Sequence, residues 1–462
     1  MSIINREIIN NFLKFESDHL PQDILYKNQA IWPSIRYAIF YYLLGDEYKG
    51  IDKNKRISLI KLLKSIVITF SLRGYFGQAD ILVFDYAKER MYEDEQINPL
   101  VFTVLKTLGK KYKITIISEK YSPNYFKNNK DVKSINIFLL KKITNIFLTL
   151  LVNKRSLQNF KNKLGKSIET FFNKKIDLDR VYKNIFLNQR AGMLILKIIF
   201  YLKKPKIIIY SDNANMSEII RLAKKKDILT IDYQHSLLSD LNILYIHNNL
   251  LNKSYKEYLS DHIFIFGDYW KKFYSKHYKT IIVGNYIHDY TKALFCDVKQ
   301  DDNYITIISS IISRDILIEA AISIAVRFPE KKIVFKLKPM EFNNWKNTAL
   351  LNLENYKNIE IIDHDRENIE FYIKKSKFVI GTNSTALIEA MPYSNVIVMK
   401  HGWYKEMQYF IENGYFLLAS DTEELRTIVG NKNQFLRKFP INEIFKEESS
   451  YLIRTKINEL LN

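Results

Sequence analysis

Residues 378–390 read Phe-Val-Ile-Gly-Thr-Asn-Ser-Thr-Ala-Leu-Ile-Glu-Ala, a short apolar run followed by a segment that opens with small polar residues. The run at 378–381 predicts a buried strand, and residues 385–391 predict a helix. A strand that leads directly into a helix is the repeating unit of a parallel α/β sheet, so this stretch decides the fold class.

The same alternation extends to both sides of this stretch. Strands are predicted at 304–309, 332–337, 359–362 and 396–399, and a separate series at 81–84, 114–118, 207–210, 229–233, 262–266 and 280–283. The polar stretch 297–303 separates the two series. The sequence therefore predicts two Rossmann-like α/β domains facing across a cleft, at 73–296 and 297–439, with a helical segment at 1–72 and a terminal helix at 440–462.

Composition narrows the classes of function. The chain has 462 residues, a net charge of +20 and a single cysteine, Cys296, which excludes a disulfide scaffold or a cysteine zinc site. Such a positive charge favours an anionic partner: a phosphorylated substrate, a membrane surface or nucleic acid. Nucleic acid is disfavoured because the sequence has no recognisable binding motif. Without a secretory pattern or an apolar run of about 18 residues, the chain is expected to be cytoplasmic.

Most of the charge lies in one window. Residues 121–206 hold 19 Lys and Arg against 4 Asp and Glu, and are predicted to form a basic helical insertion. Apolar residues recur there at helical spacing: Leu157, Phe160, Leu164, Ile168, Phe171 and Phe172. Two interpretations stay open, a helix that lies on an anionic membrane and a surface helix whose apolar stripe packs on its own domain.

Four loops at predicted strand ends carry candidate ligand-binding residues, because parallel sheets bind ligands at their carboxyl edge. After Gly381, the helix start at Asn383, Ser384 and Thr385 offers backbone N–H groups and hydroxyls to a phosphate, unless Ser384 or Thr385 only caps the helix. Glu389, one turn on, is placed to accept a hydrogen bond from a sugar or ribose hydroxyl. Lys338 and Pro339 close another strand, where the lysine offers a cation or is a solvated strand end.

The remaining loops belong to the first predicted domain. His235, between Gln234 and Ser236, has the chemistry of a general base, although a loop histidine is more often structural. Gly267-Asp268 and Gly284-Asn285 are predicted tight turns. His364, between Asp363 and Asp365, is interpreted as a solvated turn rather than a metal site.

Taken in order, these loops resemble the GT-B glycosyltransferases of bacterial surface-polysaccharide synthesis, a group that includes capsule and lipopolysaccharide transferases, polysialyltransferase-like enzymes and CDP-glycerol glycerophosphotransferases. The resemblance covers about residues 78–430 outside the insertion. It is carried by Gln234-His235-Ser236, similar to the group's Q-H-G loop, and by residues 381–390, similar to its S-T-x-L-x-E-A element; the Trp32-Pro33 region is a weaker match. Lys338 stands where the group's K-x-H-P-x-E motif has histidine.

The resemblance implies metal-independent transfer of a sugar from a nucleotide-sugar to a glycan or lipid-linked acceptor, at the inner face of an anionic membrane and without a cofactor. His235 would be the catalytic base, and Tyr404 and Glu406 would line the same pocket. It assigns the donor side to Lys338, Pro339, Gly381, Asn383, Ser384, Thr385, Glu389, Gly267 and Ser309, and the acceptor side to Asp85, Gln234 and Ser236. Two alternatives stay open: a UDP-sugar 2-epimerase of the same fold, and a non-catalytic scaffold for polysaccharide assembly.

Overall fold

The computed structural model describes residues 6–19, 25–26, 29–44, 75–85, 90–93, 95–119, 133–152, 154–211, 215–235, 238–247, 253–364, 367–401, 404–431 and 441–462. The predicted helical pattern at 57–70 and the residues Ser236, Asp365 and Gly402 lie outside these ranges.

The chain divides into two compact units. The first comprises Met1–Gly284 and Glu448–Asn462, and the second comprises Asn285–Glu447. This division falls twelve residues before the predicted boundary at 296, because helix Tyr286–Leu294 belongs to the second unit. The predicted linker is part strand, since residues 301–303 open the first strand of the second sheet.

Strands are numbered along the chain. Their bounds are β1 Leu25–Tyr26, β2 Gln29–Ala30, β3 Ile81–Asp85, β4 Arg90–Tyr92, β5 Glu95–Ile97, β6 Ile114–Ser118, β7 Lys133–Asn136, β8 Ile207–Tyr210, β9 Leu229–Tyr233, β10 His262–Ile265, β11 Thr280–Ile282, β12 Asp301–Ile308, β13 Lys332–Lys336, β14 Ile359–Ile362, β15 Ser376–Gly381, β16 Asn395–Met399 and β17 Leu417–Ala419. β1–β2 and β4–β5 form small antiparallel pairs.

The large sheet of the first unit is parallel, in the order β11-β10-β9-β8-β3-β6-β7. Ile81 of β3 is in register with Ile114 of β6 on one side and with Ile207 of β8 on the other. Chain direction across the sheet therefore reverses between β3 and β8, the switch point at which such sheets open a crevice at their carboxyl edge.

The sheet of the second unit is also parallel, in the order β14-β13-β12-β15-β16-β17, which is the 3-2-1-4-5-6 order of a Rossmann-like domain. Its switch point lies between β12 and β15. Apolar side chains of β12, β13, β15 and β16 pack against helices Arg314–Arg327 and Thr422–Gly430 to form the core of this unit.

Helices cover these sheets. In the first unit they are Arg6–His19, Trp32–Leu44, Pro99–Leu108, Phe138–Leu150, Lys154–Phe172, Leu178–Val181, Leu187–Lys203, Ser217–Lys224, Lys253–Lys256 and Ser449–Leu461; in the second they are Tyr286–Leu294, Arg314–Arg327, Ile369–Lys375, Thr385–Ala390, Gln408–Glu412, Thr422–Gly430 and Ile441–Ile444. The predicted terminal helix is thus split, and its second part returns to the first unit, where Lys111 and Tyr112 donate to the Asn458 side chain.

The N-terminal helices are fixed to the first unit by a buried ion pair. Glu16 accepts from Arg36 at 2.7 Å and from the indole of Trp32 at 2.6 Å. The same guanidinium donates to the carbonyl oxygens of Ile243 and Ile246, so the charge is satisfied on both helices and on the body of the unit.

The predicted basic insertion contains helices, but it also supplies an edge strand, β7, whose Ile135 and Asn136 are buried. On helix Lys154–Phe172, Phe160, Leu164 and Ile168 are buried. Rings farther along it pack against the first helix, with Phe15 and Phe172 centroids 5.1 Å apart. The membrane-binding interpretation of this stripe is wrong, because its apolar face is already covered by the unit's own helices.

One helical stretch among the described residues, Leu178–Lys203, is long and apolar enough to cross a membrane on those criteria alone. The sequence did not predict such a stretch, because Lys197 interrupts its apolar run. More than half of its most apolar window is buried inside the unit, since Leu196, Ile199 and Phe200 pack on the sheet.

Candidate functional site

The carboxyl edge of the second unit's sheet is the best candidate for a ligand site. Strands β12 and β15 lie side by side there, and the chain leaves them in opposite directions across the sheet. β12 continues into Ser309 and Ser310, whereas β15 continues into Thr382 and Asn383. Polar residues from both loops therefore meet at the switch point, where a sheet of this kind receives its ligand.

Two serines after β12 stand out at this edge. The Oγ atoms of Ser309 and Ser313 are buried, and within the described chain neither has a hydrogen-bond partner. Ser313 is the N-cap of helix Arg314–Arg327, yet its side chain makes no capping bond. Buried hydroxyls are normally hydrogen-bonded, so these two leave polar groups for a bound molecule or water to satisfy.

A charged bridge joins the loops after β12 and β13. Arg314 Nη2 lies 3.0 Å from Glu341 Oε1, and the other carboxylate oxygen of Glu341 accepts the backbone N–H of Lys338 at 3.1 Å. Glu341 is buried, whereas the Arg314 side chain is partly exposed. The bridge fixes the backbone of Lys338 and leaves its cationic side chain at the same edge, close in sequence to the exposed Pro339.

The loop after β15 is built tightly. A Cβ placed on Gly381 would lie 3.1 Å from Leu387 Cδ2, so glycine lets helix Thr385–Ala390 approach the strand end. Ser384 accepts from the Ala386 N–H at 3.4 Å and is therefore the N-cap, as the capping interpretation predicted. Thr385 and Glu389 on this helix are half-buried.

Asn383 links this loop to the segment after β16. Its amide Nδ2 donates to Glu406 Oε2 at 3.3 Å. Burial raises the pKa of the Glu406 carboxyl above its ordinary value, and the Asn383 hydrogen bond opposes that rise. Tyr404 lies in the same turn, Tyr404–Met407, and is also half-buried.

In the first unit, Asp85 has a structural environment. Both of its carboxylate oxygens accept hydrogen bonds, from Asn98 Nδ2 at 2.8 Å and from Ser118 Oγ at 3.4 Å. Asn98 in turn caps helix Pro99–Leu108 by accepting from Leu100 N. Asp85 therefore ties β3 to β6 and to a helix start, and its role toward an acceptor stays a prediction.

Gln234 and His235 follow β9 and differ in environment. Gln234 is buried, and its Oε1 accepts the Phe266 N–H at 3.0 Å, which binds the end of β9 to that of β10. His235 is exposed at the carboxyl edge of the sheet. The imidazole of His235 is therefore accessible from solvent, and catalysis by it stays a prediction.

The two predicted glycine turns have different backbones. Gly284 has φ +76°, a left-handed conformation that favours glycine, and Asn285 beside it caps helix Tyr286–Leu294. Gly267 is extended, with φ −165°, so its backbone does not require glycine. Gly267 also lies in the first unit, on a different sheet from the other residues predicted for the donor side.

Four residues at these two edges were not among the predicted site residues: Ser313, Arg314, Glu341 and Ser211. The first two belong to a readable signal, Ser309-Ser310-Ile311-Ile312-Ser313-Arg314, in which serines follow a predicted strand and precede a predicted helix. The pairing of Arg314 with Glu341 has no such signal, because 27 residues separate them and only sheet order brings them together. Ser211, after β8, is buried with an Oγ that lacks a hydrogen-bond partner in the described residues.

A search of the described residues finds no group of three or more His, Cys, Asp or Glu side chains that could hold a metal ion. Asp363 accepts from the Trp345 indole at 2.9 Å, and His364 lies 3.9 Å from Glu367. Asp365 lies outside the described residues, so the interpretation of this segment as a solvated turn stays a prediction.

Comparison with known proteins adds evidence on the fold. No family model and no curated protein matches this chain. Among solved structures, the UDP-GlcNAc 2-epimerase of Methanocaldococcus jannaschii, in complex with UDP-GlcNAc and UDP, is similar at 14% identity and a TM-score of 0.50, covering 82% of this chain and 99% of that one.

Two other solved structures are similar at lower scores. The Neisseria meningitidis UDP-GlcNAc 2-epimerase bound to UDP-GlcNAc has 13% identity and a TM-score of 0.47, covering 82% of this chain and 99% of that one. The sucrose-phosphate synthase of Thermosynechococcus elongatus has 12% identity and a TM-score of 0.46, covering 82% and 98%.

The predicted fold class is confirmed. The chain contains two parallel-sheet, Rossmann-like α/β units, the architecture of GT-B proteins, and the M. jannaschii epimerase structure is similar to it in fold. At these identities the likeness shows the fold, so the chemistry has to be argued from the site.

Proposed function

We propose that this protein is a glycosyltransferase that binds a nucleotide-sugar at the carboxyl edge of its second unit. The observation that carries the proposal is the pair of buried hydroxyls of Ser309 and Ser313, which have no hydrogen-bond partner within the described chain and lie in the loop after β12, one of the two strands at the switch point. A diphosphate offers several strong acceptor oxygens, so it satisfies both hydroxyls at once.

The charges at this edge support an anionic ligand. Arg314 begins a 14-residue helix whose first N–H groups point out of its N-terminus, and Lys338 supplies a second cation one strand away. Asn383, Ser384 and Thr385 then contribute the start of the helix after β15. Glu389, half-buried on that helix, is proposed to accept from a ribose or sugar hydroxyl.

His235 is proposed as the base that removes the proton from the attacking hydroxyl of the acceptor. It is exposed at a strand end, as a group that meets substrate must be, and a histidine changes charge near neutral pH. Asp85, Gln234 and Ser236 remain the proposed acceptor side. The acceptor is proposed to be a growing surface glycan, such as capsule or lipopolysaccharide, at the cytoplasmic membrane face.

The experiment is a thermal-shift screen of the purified chain with CMP, CDP, UDP and GDP, followed by calorimetry on the nucleotide that raises Tm most. We expect at least one nucleotide to bind, and Ser384→Ala with Thr385→Ala to weaken its binding. Failure of every nucleotide to bind would overturn the proposal and would instead support the non-catalytic scaffold.

A UDP-sugar 2-epimerase is the second candidate, because the M. jannaschii structure with the same fold is such an enzyme and is bound to UDP-GlcNAc and UDP. An epimerase converts UDP-GlcNAc without any acceptor. Incubation of this chain with UDP-GlcNAc alone, followed by proton NMR, separates the two: a new epimer identifies the isomerase, whereas the transferase leaves the sugar configuration unchanged.

A further inference from the structure

An exposed apolar surface lies on two neighbouring helices of the first unit, Phe138–Leu150 and Leu187–Lys203. Nine large apolar side chains there are each between 39% and 78% exposed. They are Ile143, Ile146, Phe147, Leu150, Leu151, Leu194, Ile198, Tyr201 and Leu202, hereafter the apolar face. Exposed apolar side chains that are grouped on two neighbouring helices are typical of an interaction site, whereas singly scattered ones are ordinary surface.

Helix Phe138–Leu150 is turned with its apolar side away from the protein. Its inward side contains the buried Lys141, which is paired with Glu119 at 2.6 Å, and the half-buried Asn145 and Thr149. Ile146, Phe147 and Leu150 lie on the opposite side. Leu140 packs on the core of the unit, but the most exposed side of the helix is apolar, which is not the pattern of a helix whose only partner is its own core.

The two helices present their apolar sides together. Lys141 lies against Gly192, since a Cβ built on that glycine would be 3.3 Å from Lys141 Cε. One helix follows β7 and the other precedes β8, so both run from the carboxyl to the amino edge of a parallel sheet. With that starting register, Phe147 comes level with Ile198, and Leu151 with Leu202, to within about one helical turn.

The charged residues of the two helices and of their flanking segments are basic. Exposed basic side chains stand next to the apolar face in the sequence at Lys142, Lys154, Arg155, Lys197 and Lys204. Residues 132–168 and 180–211 contain no Asp or Glu at all. The carboxylates that reach these helices from other elements, Glu119 and Glu218, are paired with Lys141 and Arg190. Exposed apolar side chains with exposed basic neighbours match an anionic bilayer, where acyl chains receive the apolar groups and lipid phosphates receive the cations.

We propose that the apolar face inserts into the interface of an anionic phospholipid bilayer and holds the first unit on the membrane surface. A second copy of the chain fits less well, because pairing two such faces would bring two sets of like charges together. The helices lie on the bilayer and do not cross it, since Leu196, Ile199 and Phe200 on the inner side of Leu187–Lys203 are packed in the core. The proposal gives a physical basis to the membrane-side reaction suggested above, but it rests on its own observations.

The test is co-sedimentation of the full chain with vesicles of phosphatidylcholine alone or with 30% phosphatidylglycerol. We expect binding to the anionic vesicles and at least tenfold weaker partitioning of the variant Phe147→Gln/Leu151→Gln, because it loses apolar contact without a change in charge. The matched control is Val326→Gln/Tyr451→Gln, which alters two equally exposed apolar residues outside the apolar face and should bind as the original chain does. Lys142→Gln/Lys197→Gln should also weaken binding at least tenfold at low salt.

Four outcomes would overturn the proposal. The first is that the original chain fails to sediment with anionic vesicles, and the second is that Phe147→Gln/Leu151→Gln binds these vesicles as tightly as the control. The third is that light scattering detects a dimer in the absence of lipid and that this variant abolishes the dimer, in which case the apolar face binds a second copy of the chain. The fourth is that the Tm of the variant Phe147→Gln/Leu151→Gln falls well below that of the control variant, which would show that another part of the chain covers the apolar face. The vesicle experiment contains no sugar or nucleotide, so a negative result in it would count against membrane binding and not against the proposed transferase activity.

Discussion

The polar residues at the carboxyl edges of the two parallel sheets differ in their hydrogen bonding. At the edge of the first unit, Asp85 is satisfied by Asn98 and Ser118, and Gln234 by the Phe266 N–H. At the edge of the second unit, the buried hydroxyls of Ser309 and Ser313 have no partner among the described residues. The same topology therefore produces one edge whose polar groups hold the strands together and another that retains unused hydrogen-bonding capacity.

This contrast teaches that position at a switch point is not enough to assign a binding role. Asp85 occupies the switch point of its sheet as Ser309 does, but its hydrogen bonds are directed to its own unit. Ser211 at the end of β8 is an exception at the edge of the first unit, because its buried Oγ also lacks a partner in the described chain. The unpartnered group, rather than the strand end itself, indicates where a ligand is expected.

The largest expected effect concerns His235, whose proposed role in chemistry belongs to the first unit. His235→Ala should reduce sugar transfer by roughly 10²–10⁴-fold, the usual contribution of a general base. Nucleotide affinity should stay within about twofold, because the donor is proposed to bind the second unit. The measurements are turnover with a nucleotide-sugar and acceptor, and calorimetry with the nucleotide. Unchanged turnover would remove His235 from the catalytic role.

The next effect is on stability. Asp85→Ala should lower the free energy of unfolding of the first unit by about 2–3 kcal/mol, because it leaves the buried Asn98 amide without its acceptor. Urea denaturation followed by tryptophan fluorescence measures this loss. Asp85→Asn, which retains an acceptor oxygen, is the control and should lose less. Equal stability of Asp85→Ala and the original chain would contradict the structural role given to this carboxylate.

The next prediction concerns the two serine hydroxyls at the carboxyl edge of the second unit's sheet. Ser309→Ala/Ser313→Ala should leave Tm unchanged or slightly raised, because neither hydroxyl has a hydrogen bond to lose within the described residues. The Kd for the nucleotide should rise about tenfold, the equivalent of about 1.4 kcal/mol. Thermal unfolding of this variant checks the expectation for Tm, and calorimetry with the nucleotide checks the expectation for Kd. A large drop in Tm with unchanged Kd would reverse the assignment of the two edges.

The smallest effect is a pH dependence at Glu406. Burial raises its pKa in the folded chain, so the folded state favours the protonated carboxyl and loses stability as pH rises through the carboxyl range. Glu406→Gln should therefore be slightly more stable than the original chain at pH 7, and this difference should shrink on acidification. Denaturation at pH 7 and pH 4 measures it. A constant difference across that range would show that Glu406 does not titrate abnormally.

Much of the fold could be predicted because it is local. The apolar runs at 81–84, 207–210 and 378–381 are strands in the structure, since buried parallel strands are continuous in apolar residues. The edge strand β7 was missed because Lys-Ser-Ile-Asn has no such run. The predicted boundary at 296 and the division of the chain after Gly284 differ by helix Tyr286–Leu294, and residues 301–303 of the predicted linker are the exposed start of β12.

The site was less predictable because its contacts are not local. Ser384 shows its capping role in the sequence, since the N-cap and the N–H groups that it satisfies are neighbours. Arg314 with Glu341 and Asn383 with Glu406 depend on which strands are adjacent. Helical periodicity likewise identifies an apolar stripe but not the direction that it faces. It predicted the stripe at Phe160, Leu164 and Ile168, and only the structure shows that this stripe is buried whereas Phe147 is exposed.

The most direct test of the central claim is hydrogen exchange with the tightest-binding nucleotide from the thermal-shift screen, followed by mass spectrometry. If the second unit's edge holds the diphosphate, peptides covering 309–316 and 382–388 will be protected on binding, and peptides covering 98–104 will not. Protection confined to the first unit, or absent from both segments at saturating nucleotide, would contradict it.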